Sequence, residues 1–554
     1  MENEVQIIVK NYGIHHFKKG TTILQIIEIL KIKNRKDIIA GLINNKLVDL
    51  HWYCNHNCEL DFIYTATDIG LKIYRHTATH ILALAIYNLY KKDILKIGPS
   101  INNNFYFDLA HKKEITSSVI KEIKNEFTNI IKKNYPIKIE FMGKGEAIKF
   151  YKRKKLPEKA RLIEFLNVDS IKFYSINGFK EMCLGPLAPY TSSIKSFKFI
   201  KYPPGFLLQF PVAENNKLKL KPLKTPKKLS KVFLETRGWY EEQGVSNATE
   251  LNEIILNKKL SELINVAEAY HEKKLAQIAD EITKRKEQIK LVLIAGPSSS
   301  GKTTFSKRLS IQLKVNGLKP IALSLDNYFV DRENTPRDEN GNYDFESLEA
   351  LDLKLLNKHL HMLLNGKTIT VPKFDFKRGK RKKDGTPLKI EKGQIVIIEG
   401  IHGLNEKLSA SIPAKNKFKI YVSALIQLRI SNFHRIATTD LRLIRRIVRD
   451  SIFRGNSPED TIKMWPLVRR GEEKNIFPFQ EDADVIFNSA LIYEIPILKQ
   501  YAEKLLLSIP YKRKEYQEAK RLLNLLAFFL PASSKNIPGI SILREFIGGS
   551  SFHY

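Results

Sequence analysis

The chain has 554 residues, 43% hydrophobic and 27% charged, too many for one hydrophobic core, so roughly three or four domains are expected. Lys and Arg outnumber Asp and Glu 92 to 59, a formal charge of +33. That field favours polyanionic partners, but the basic residues run along the whole chain instead of forming the patch that nucleic-acid binding calls for. Three cysteines (Cys54, Cys58, Cys183) exclude a disulfide framework, MENEVQ lacks the apolar core of a signal peptide, and LLNLLAFFL (522–530) is too short to span a bilayer. A cytoplasmic protein with no membrane contact is expected.

In chain order, residues 4–65 alternate short β-rich runs (EVQIIVK, KLVDL, ELDFIY) with one helix-like stretch, TILQIIEIL, the pattern of a small mixed β domain over 1–66. From 67 to 216 the reading is α+β: a helix through RHTATHILALAIYNLY, a second near 114–133, then short strands. KLKLKPLKTPKK (217–228) reads as a linker, because prolines and like charges oppose a packed element. A helical segment completes 217–288. Over 289–500 apolar strands (LVLIAG, IALSLD, QIVIIEG, KFKIYV, DVIFN) alternate with helical runs, which predicts a parallel sheet covered by helices on both faces. A helical tail, 501–554, ends in SILREFIGGSSFHY.

GPSSSGKTT (296–304) follows strand LVLIA and precedes the helix-like FSKRLSIQL. It matches G-x-x-x-x-G-K-[ST] in full, so Gly296, Pro297, Ser298, Ser299, Ser300, Gly301, Lys302, Thr303 and Thr304 are the expected ATP-binding loop. The glycines let backbone N–H groups face the phosphates, Lys302 reaches the β- and γ-phosphates, and Thr303 ligates Mg²⁺. Asp326, after IALSL, and Glu399, closing IVIIE, lie at strand ends where open α/β sheets bind ligands. Either acid can hold Mg²⁺ or take the proton from an attacking hydroxyl. Arg442, Arg445, Arg446 and Arg449 recur at i, i+3, i+4 and i+7, so one helix face is a guanidinium stripe. It is expected to close over the transferring phosphate.

GPSSSGKTT, SLDNYF, NYDF, the FDF of VPKFDFKRG, IIEGIHGL, DLRLIRRIVRD and DADVIFN together resemble the uridine kinase/phosphoribulokinase family of P-loop enzymes over roughly 290–490. The resemblance implies an α/β kinase fold and transfer of a phosphoryl group from ATP to a nucleoside 5′-hydroxyl. It puts the catalytic base at Asp326 and a ribose-binding carboxylate at Asp344. Phe374 takes the place of a tyrosine near the base, and Gly379 the place of a base-contacting histidine. The loss of that histidine leaves open which nucleoside, or which other small alcohol, is the acceptor. Lys302, Glu399, Arg442 and Arg445 complete the expected catalytic set, with Arg446 and Arg449 beside the substrate.

The front of the chain resembles threonyl-tRNA synthetases. Residues 4–65 look like their β-grasp TGS module. RHTATH, GPSINNNFYFD and MCLGPLAPYTSSIKSF look like their second additional, editing domain. In that family two histidines, a cysteine and a further histidine four residues on form the site; here the positions are His76, His80, Cys183 and Leu187. Three ligands with water in the fourth place can hold Zn²⁺, and a packed remnant without metal is the alternative. CNHNC (54–58) is read as a turn between strands and His402 as a residue shaping the loop after Glu399. The whole is expected to be a multidomain nucleoside kinase, with a tRNA- or RNA-binding or regulatory front half as the other reading; a homo-oligomer is compatible with both.

Overall fold

The structure, a computed structural model, describes residues 3–91, 93–110, 114–223, 226–338, 341, 343–375, 378–391 and 393–553. Motif residues Asn342 and Phe376, residues 224 and 225 of the expected linker, and Tyr554 lie outside them.

The first sixty residues form one mixed sheet around a short helix. Strands β1 (Glu4–Val9), β2 (Gly13–Lys18), β3 (Ile38–Ile43), β4 (Lys46–Val48) and β5 (Cys58–Tyr64) stand in the order β2-β1-β5-β3-β4. Alternation along β1 buries Val5, Ile7 and Val9 against helix α1 (Ile23–Ile29). A capping box between Thr22 and Gln25 starts that helix.

Helix α2 (Asp68–Leu89) opens the second module. The Thr67 hydroxyl caps it by accepting from the Gly70 N–H. Strands β6 (Leu95–Ile101), β7 (Asn104–Leu109), β11 (Lys198–Tyr202) and β12 (Gly205–Gln209) form one sheet, in the order β11-β12-β7-β6. Strands β8 (Ile137–Gly143), β9 (Ser170–Ile176) and β10 (Phe179–Met182) form a second. Helix α3 (Ser117–Lys132) covers the core between them. The expected linker is partly structured: Val212–Glu214 pairs with Lys217–Lys219, because Glu214 answers Lys219 at 2.9 Å and offsets the like charges. Helices α4 (Lys227–Glu242), α5 (Ala248–Leu256) and α6 (Leu260–Lys284) follow.

Strands β13 (Leu291–Ala295), β14 (Lys319–Ser324), β15 (Gln394–Glu399), β16 (Lys417–Ser423) and β17 (Val485–Asn488) build one five-stranded sheet ordered β14-β15-β13-β16-β17, with every pairing parallel. The continuous apolar run of β13 is buried on both faces, as parallel strands are. Its register sets Ser324 opposite Glu399 and Glu399 opposite Ile294, so three strands end at one level. Helix α7 (Lys302–Val315) starts there. Helices α8 (Thr438–Phe453), α9 (Pro458–Asn475), α10 (Glu494–Leu507), α11 (Tyr516–Leu526) and the one-turn α12 (Arg544–Ile547) complete the unit. One apolar core runs from the second module's Met142–Met182 region through α6 into the tail, joining the modules.

Candidate functional site: a P-loop at the carboxyl edge of a parallel sheet

The loop after β13 is shaped by close backbone approach. A Cβ on Gly296 would lie 2.0 Å from the Val422 carbonyl, and Gly301 adopts φ +82; only glycine meets both demands without strain. Lys302, the first residue of α7, donates from Nζ to the Pro297 carbonyl (3.1 Å). Burial lowers its pKa, with Glu399 opposing. The Thr303 hydroxyl donates to Glu399 Oε1 (3.0 Å). Asp326 sits in a single 3-10 turn after β14, its N–H on Ser324 Oγ (3.3 Å). Desolvation in the cleft raises its pKa, with Arg454 and Lys302 pulling the other way. Desolvation raises Glu399 as well, against Lys302 and Thr303. Lys302, Thr303, Glu399 and Asp326, distant in sequence, thus share one sheet edge.

The arginine stripe is where the structure departs most from the expected lid. Arg442 and Arg445 are 1% and 0% exposed and lie beneath the loop. Arg442 forms a two-pronged pair with Glu472 and donates to the Ser298 carbonyl (3.0 Å). Arg445 pairs with Glu494 (2.6 and 3.0 Å) and reaches the Ser299 carbonyl (3.4 Å). Both guanidiniums are enclosed and paired in this structure, and they buttress the loop from behind. Arg446 bridges to Ser298 Oγ (2.8 Å) and to Asp450, while Arg449 pairs with Asp450 (2.6 Å).

Of the residues expected beside the acceptor, Asp344 accepts from the Glu346 N–H (3.2 Å) and lies 3.8 Å from Lys474. Phe374 tilts against Phe329, ring centroids 5.8 Å apart. Gly379 is held at φ +68, and a Cβ there would lie 2.7 Å from Arg332 Nε. The Arg332 side chain therefore fills the space that a larger residue at 379 would need. His402 is buried, which pushes its pKa down to about 4, and its carbonyl accepts from the Asn405 N–H (2.9 Å). Sequence reasoning missed three acids around the loop. Glu472 accepts from the Ser298 N–H (3.0 Å), Glu545 accepts from Thr304 (3.1 Å), and Glu346 is raised by burial and feels Glu472, Arg446 and Lys302. Only Glu346, two residues past Asp344, left a local signal.

His76, His80 and Cys183 line a second cavity of about 580 Å³, with His434 and Arg435 of the sheet unit and Arg521 of α11 on its far wall. Burial depresses His76 to about 3 and His80 to about 4, and raises the Cys183 thiol to about 11. Among the described residues no group of three or more His, Cys, Asp or Glu is arranged to hold a metal ion. Leu187, buried at 2% exposure, supplies no fourth donor, and His76, His80 and Cys183 are not arranged as a ligand group, so the residues present do not fit a tetrahedral Zn²⁺ site. Cys54 and Cys58 are likewise free thiols.

The front of the chain is similar to threonine–tRNA ligases. It is 36% identical over 185 residues to that of Caldanaerobacter subterraneus subsp. tengcongensis, covering 33% of this chain and 29% of the relative. It is 36% identical over 190 residues to that of Francisella philomiragia subsp. philomiragia, covering 34% and 30%. The chain therefore spans less than a third of the length of these curated relatives. Solved structures also match, among them the following two. One is a protein from Silicibacter sp. TM1040 provisionally named a fructose transport system kinase, with 18% identity, 38% of this chain and 98% of that one covered, and a TM-score of 0.27. The other is a "Possible Uridine Kinase" from Bacillus stearothermophilus, with 20% identity, 39% and 100% covered, and a TM-score of 0.25. Residues 291–495 match the model of the Phosphoribulokinase / Uridine kinase family, which places the likeness to that family on the parallel-sheet unit.

Proposed function

We propose that the chain is an ATP-dependent nucleoside kinase, transferring the γ-phosphoryl group to the 5′-hydroxyl of a nucleoside such as uridine. The observation that carries this is the meeting of Lys302, Thr303 and Glu399 on the loop with Asp326 across the sheet edge. The N–H groups at the start of α7 and the Lys302 ammonium bind the phosphates. The Thr303 hydroxyl and Glu399 carboxylate are the hard oxygen donors Mg²⁺ takes alongside nucleotide oxygens and water. When bound, Mg²⁺ neutralises charge on the transferring group. Asp326 accepts the proton from the acceptor hydroxyl, and its raised pKa improves the match between base and acceptor. Asp344, near the acceptor side, holds ribose hydroxyls. Incubation with ATP, Mg²⁺ and a nucleoside panel should yield ADP with at least one nucleoside; ATP binding without turnover of any would refute the nucleoside assignment. Asp326→Asn should lower kcat by about 10²–10⁴-fold while nucleotide Kd stays within about twofold of wild type.

A second reading concerns the front half alone: it binds a tRNA end or another ligand and regulates the kinase. The identity to threonine–tRNA ligases and the 580 Å³ cavity favour it. A gel shift of tRNA by the full chain that weakens steeply with salt would support it; no shift at low salt would remove RNA as the ligand.

A further inference from the structure

The stretch SILREFIGGSSF (541–552) takes no part in the reaction above, yet it packs on the P-loop. Ile542 lies against Gly301, where an added Cβ would come 2.5 Å from its Cγ2. Ile542, Leu543 and Phe546 are fully buried. The Ser541 hydroxyl donates to Glu268, and Arg544 donates to the Ser534 (3.0 Å) and Ile537 (2.7 Å) carbonyls. The Arg445 guanidinium sits 4.9 Å from the centre of the Phe546 ring. The tail backbone is thus a fixed part of the wall around the loop.

From that wall one carboxylate points at the loop. Glu545 Oε2 accepts from the Thr304 N–H (3.1 Å) and from the Thr304 hydroxyl (2.7 Å). Within α7 the first N–H to find a helical carbonyl is that of Phe305, on Gly301. The Thr304 N–H therefore lies outside the helix's own hydrogen-bond ladder, in the set of N-terminal donors that a P-loop offers to anionic oxygen. A carboxylate oxygen on the N–H and hydroxyl of one residue makes the contacts a phosphate oxygen would make there.

We propose that Glu545 is a built-in competitor of nucleotide phosphate: it holds the Thr304 N–H and hydroxyl, and must rotate off them when a polyphosphate binds. The inference rests on the nucleotide reading of the loop. Because Ile542, Leu543 and Phe546 lock the backbone, the tail does not depart; only the Glu545 side chain turns. Its charge then stays within a few ångströms of the bound phosphates and weakens their binding, which favours release of the product nucleotide.

The test is titration calorimetry of the full chain and of Glu545→Gln with ADP and, separately, with tripolyphosphate. Both ligands should bind the variant at least about tenfold more tightly, a gain of about 1.4 kcal/mol, since the glutamine keeps the shape and removes the charge. ADP binding both proteins equally, or the variant more weakly, overturns the inference and leaves the nucleotide reading standing. Tripolyphosphate binding the variant more tightly while neither protein binds nucleotide upholds the competitor and overturns the nucleotide reading. No binding of either ligand to either protein overturns both. Should Glu545→Gln fail to fold by circular dichroism, Glu545→Asp decides, because the shorter side chain withdraws from Thr304: tighter binding supports the competitor and unchanged binding refutes it.

Discussion

If Glu472 holds Arg442 under the loop, removing the acid should damage stability before chemistry. In Glu472→Ala the Arg442 guanidinium, 1% exposed, keeps its charge and loses its two-pronged partner. Breaking one side of a buried ion pair costs about 3–5 kcal/mol. The Ser298 N–H, now 3.0 Å from Glu472 Oε1, also loses its acceptor, worth about 1–3 kcal/mol when the group stays buried. These terms share atoms and do not simply add, so the expected loss is about 4–6 kcal/mol, comparable with the whole stability of many domains, about 5–15 kcal/mol. Trp465 supplies a probe, its ring centred 5.3 Å from the Arg442 guanidinium carbon, so urea unfolding can be followed by tryptophan emission. The double variant Arg442→Met with Glu472→Leu removes both charges together and should be more stable than Glu472→Ala alone. A Glu472→Ala protein within about 1 kcal/mol of wild type would refute the buttress; so would an Arg442→Met protein of wild-type stability that has lost phosphoryl transfer.

Two further predictions concern proton and backbone. His80 and His402 are held near 4 by burial, below the unfolded value of 6.5, so their contribution to stability is complete above pH 6.5. It is lost as pH falls from 6.5 through about 4, where the unfolded chain takes up protons first. Thermal unfolding across that window should show a lower Tm at lower pH, with up to about 1.4 kcal/mol per pH unit from each group; His80→Asn should flatten the slope, and an unchanged slope would refute the assignment for His80. Gly379→Ala should destabilise by about 1–2 kcal/mol because φ +68 is left-handed and Arg332 occupies the space; denaturant unfolding measures it, and a neutral result would show that the turn relaxes.

The parallel sheet was legible because its strands are continuous apolar runs and its loop carries a complete phosphate-binding pattern. Asp326 and Glu399 could be placed at strand ends from the same runs. The direction in which the arginine stripe faces could not. Spacing says that Arg442, Arg445, Arg446 and Arg449 share a face; it does not say what that face meets. The answer depends on Glu472 and Glu494, which lie 30 and 49 residues further on and carry no local signature of a buried acid. Glu545 is more remote still, 241 residues from Thr304. Helix α2 was readable from its apolar period, but the far wall of its cavity, His434, comes from another module.

That wall also shows how the two halves are physically continuous. The hairpin of Arg429–Ser431 and His434–Arg435 leaves the parallel-sheet unit and seats on the front module. Asn432 donates to Glu158 (2.6 Å), its carbonyl accepts from the Ile97 N–H (2.9 Å), and the Lys159 ammonium stands 3.9 Å above the Phe433 ring. Helix α8 begins at Thr438, directly after the hairpin. Asp440 in its first turn binds Arg521 at the cavity wall (2.7 and 2.8 Å), and Arg442, two residues on, holds the Ser298 carbonyl. One rigid helix therefore has its start in the cavity that the front module builds and its middle under the phosphate loop.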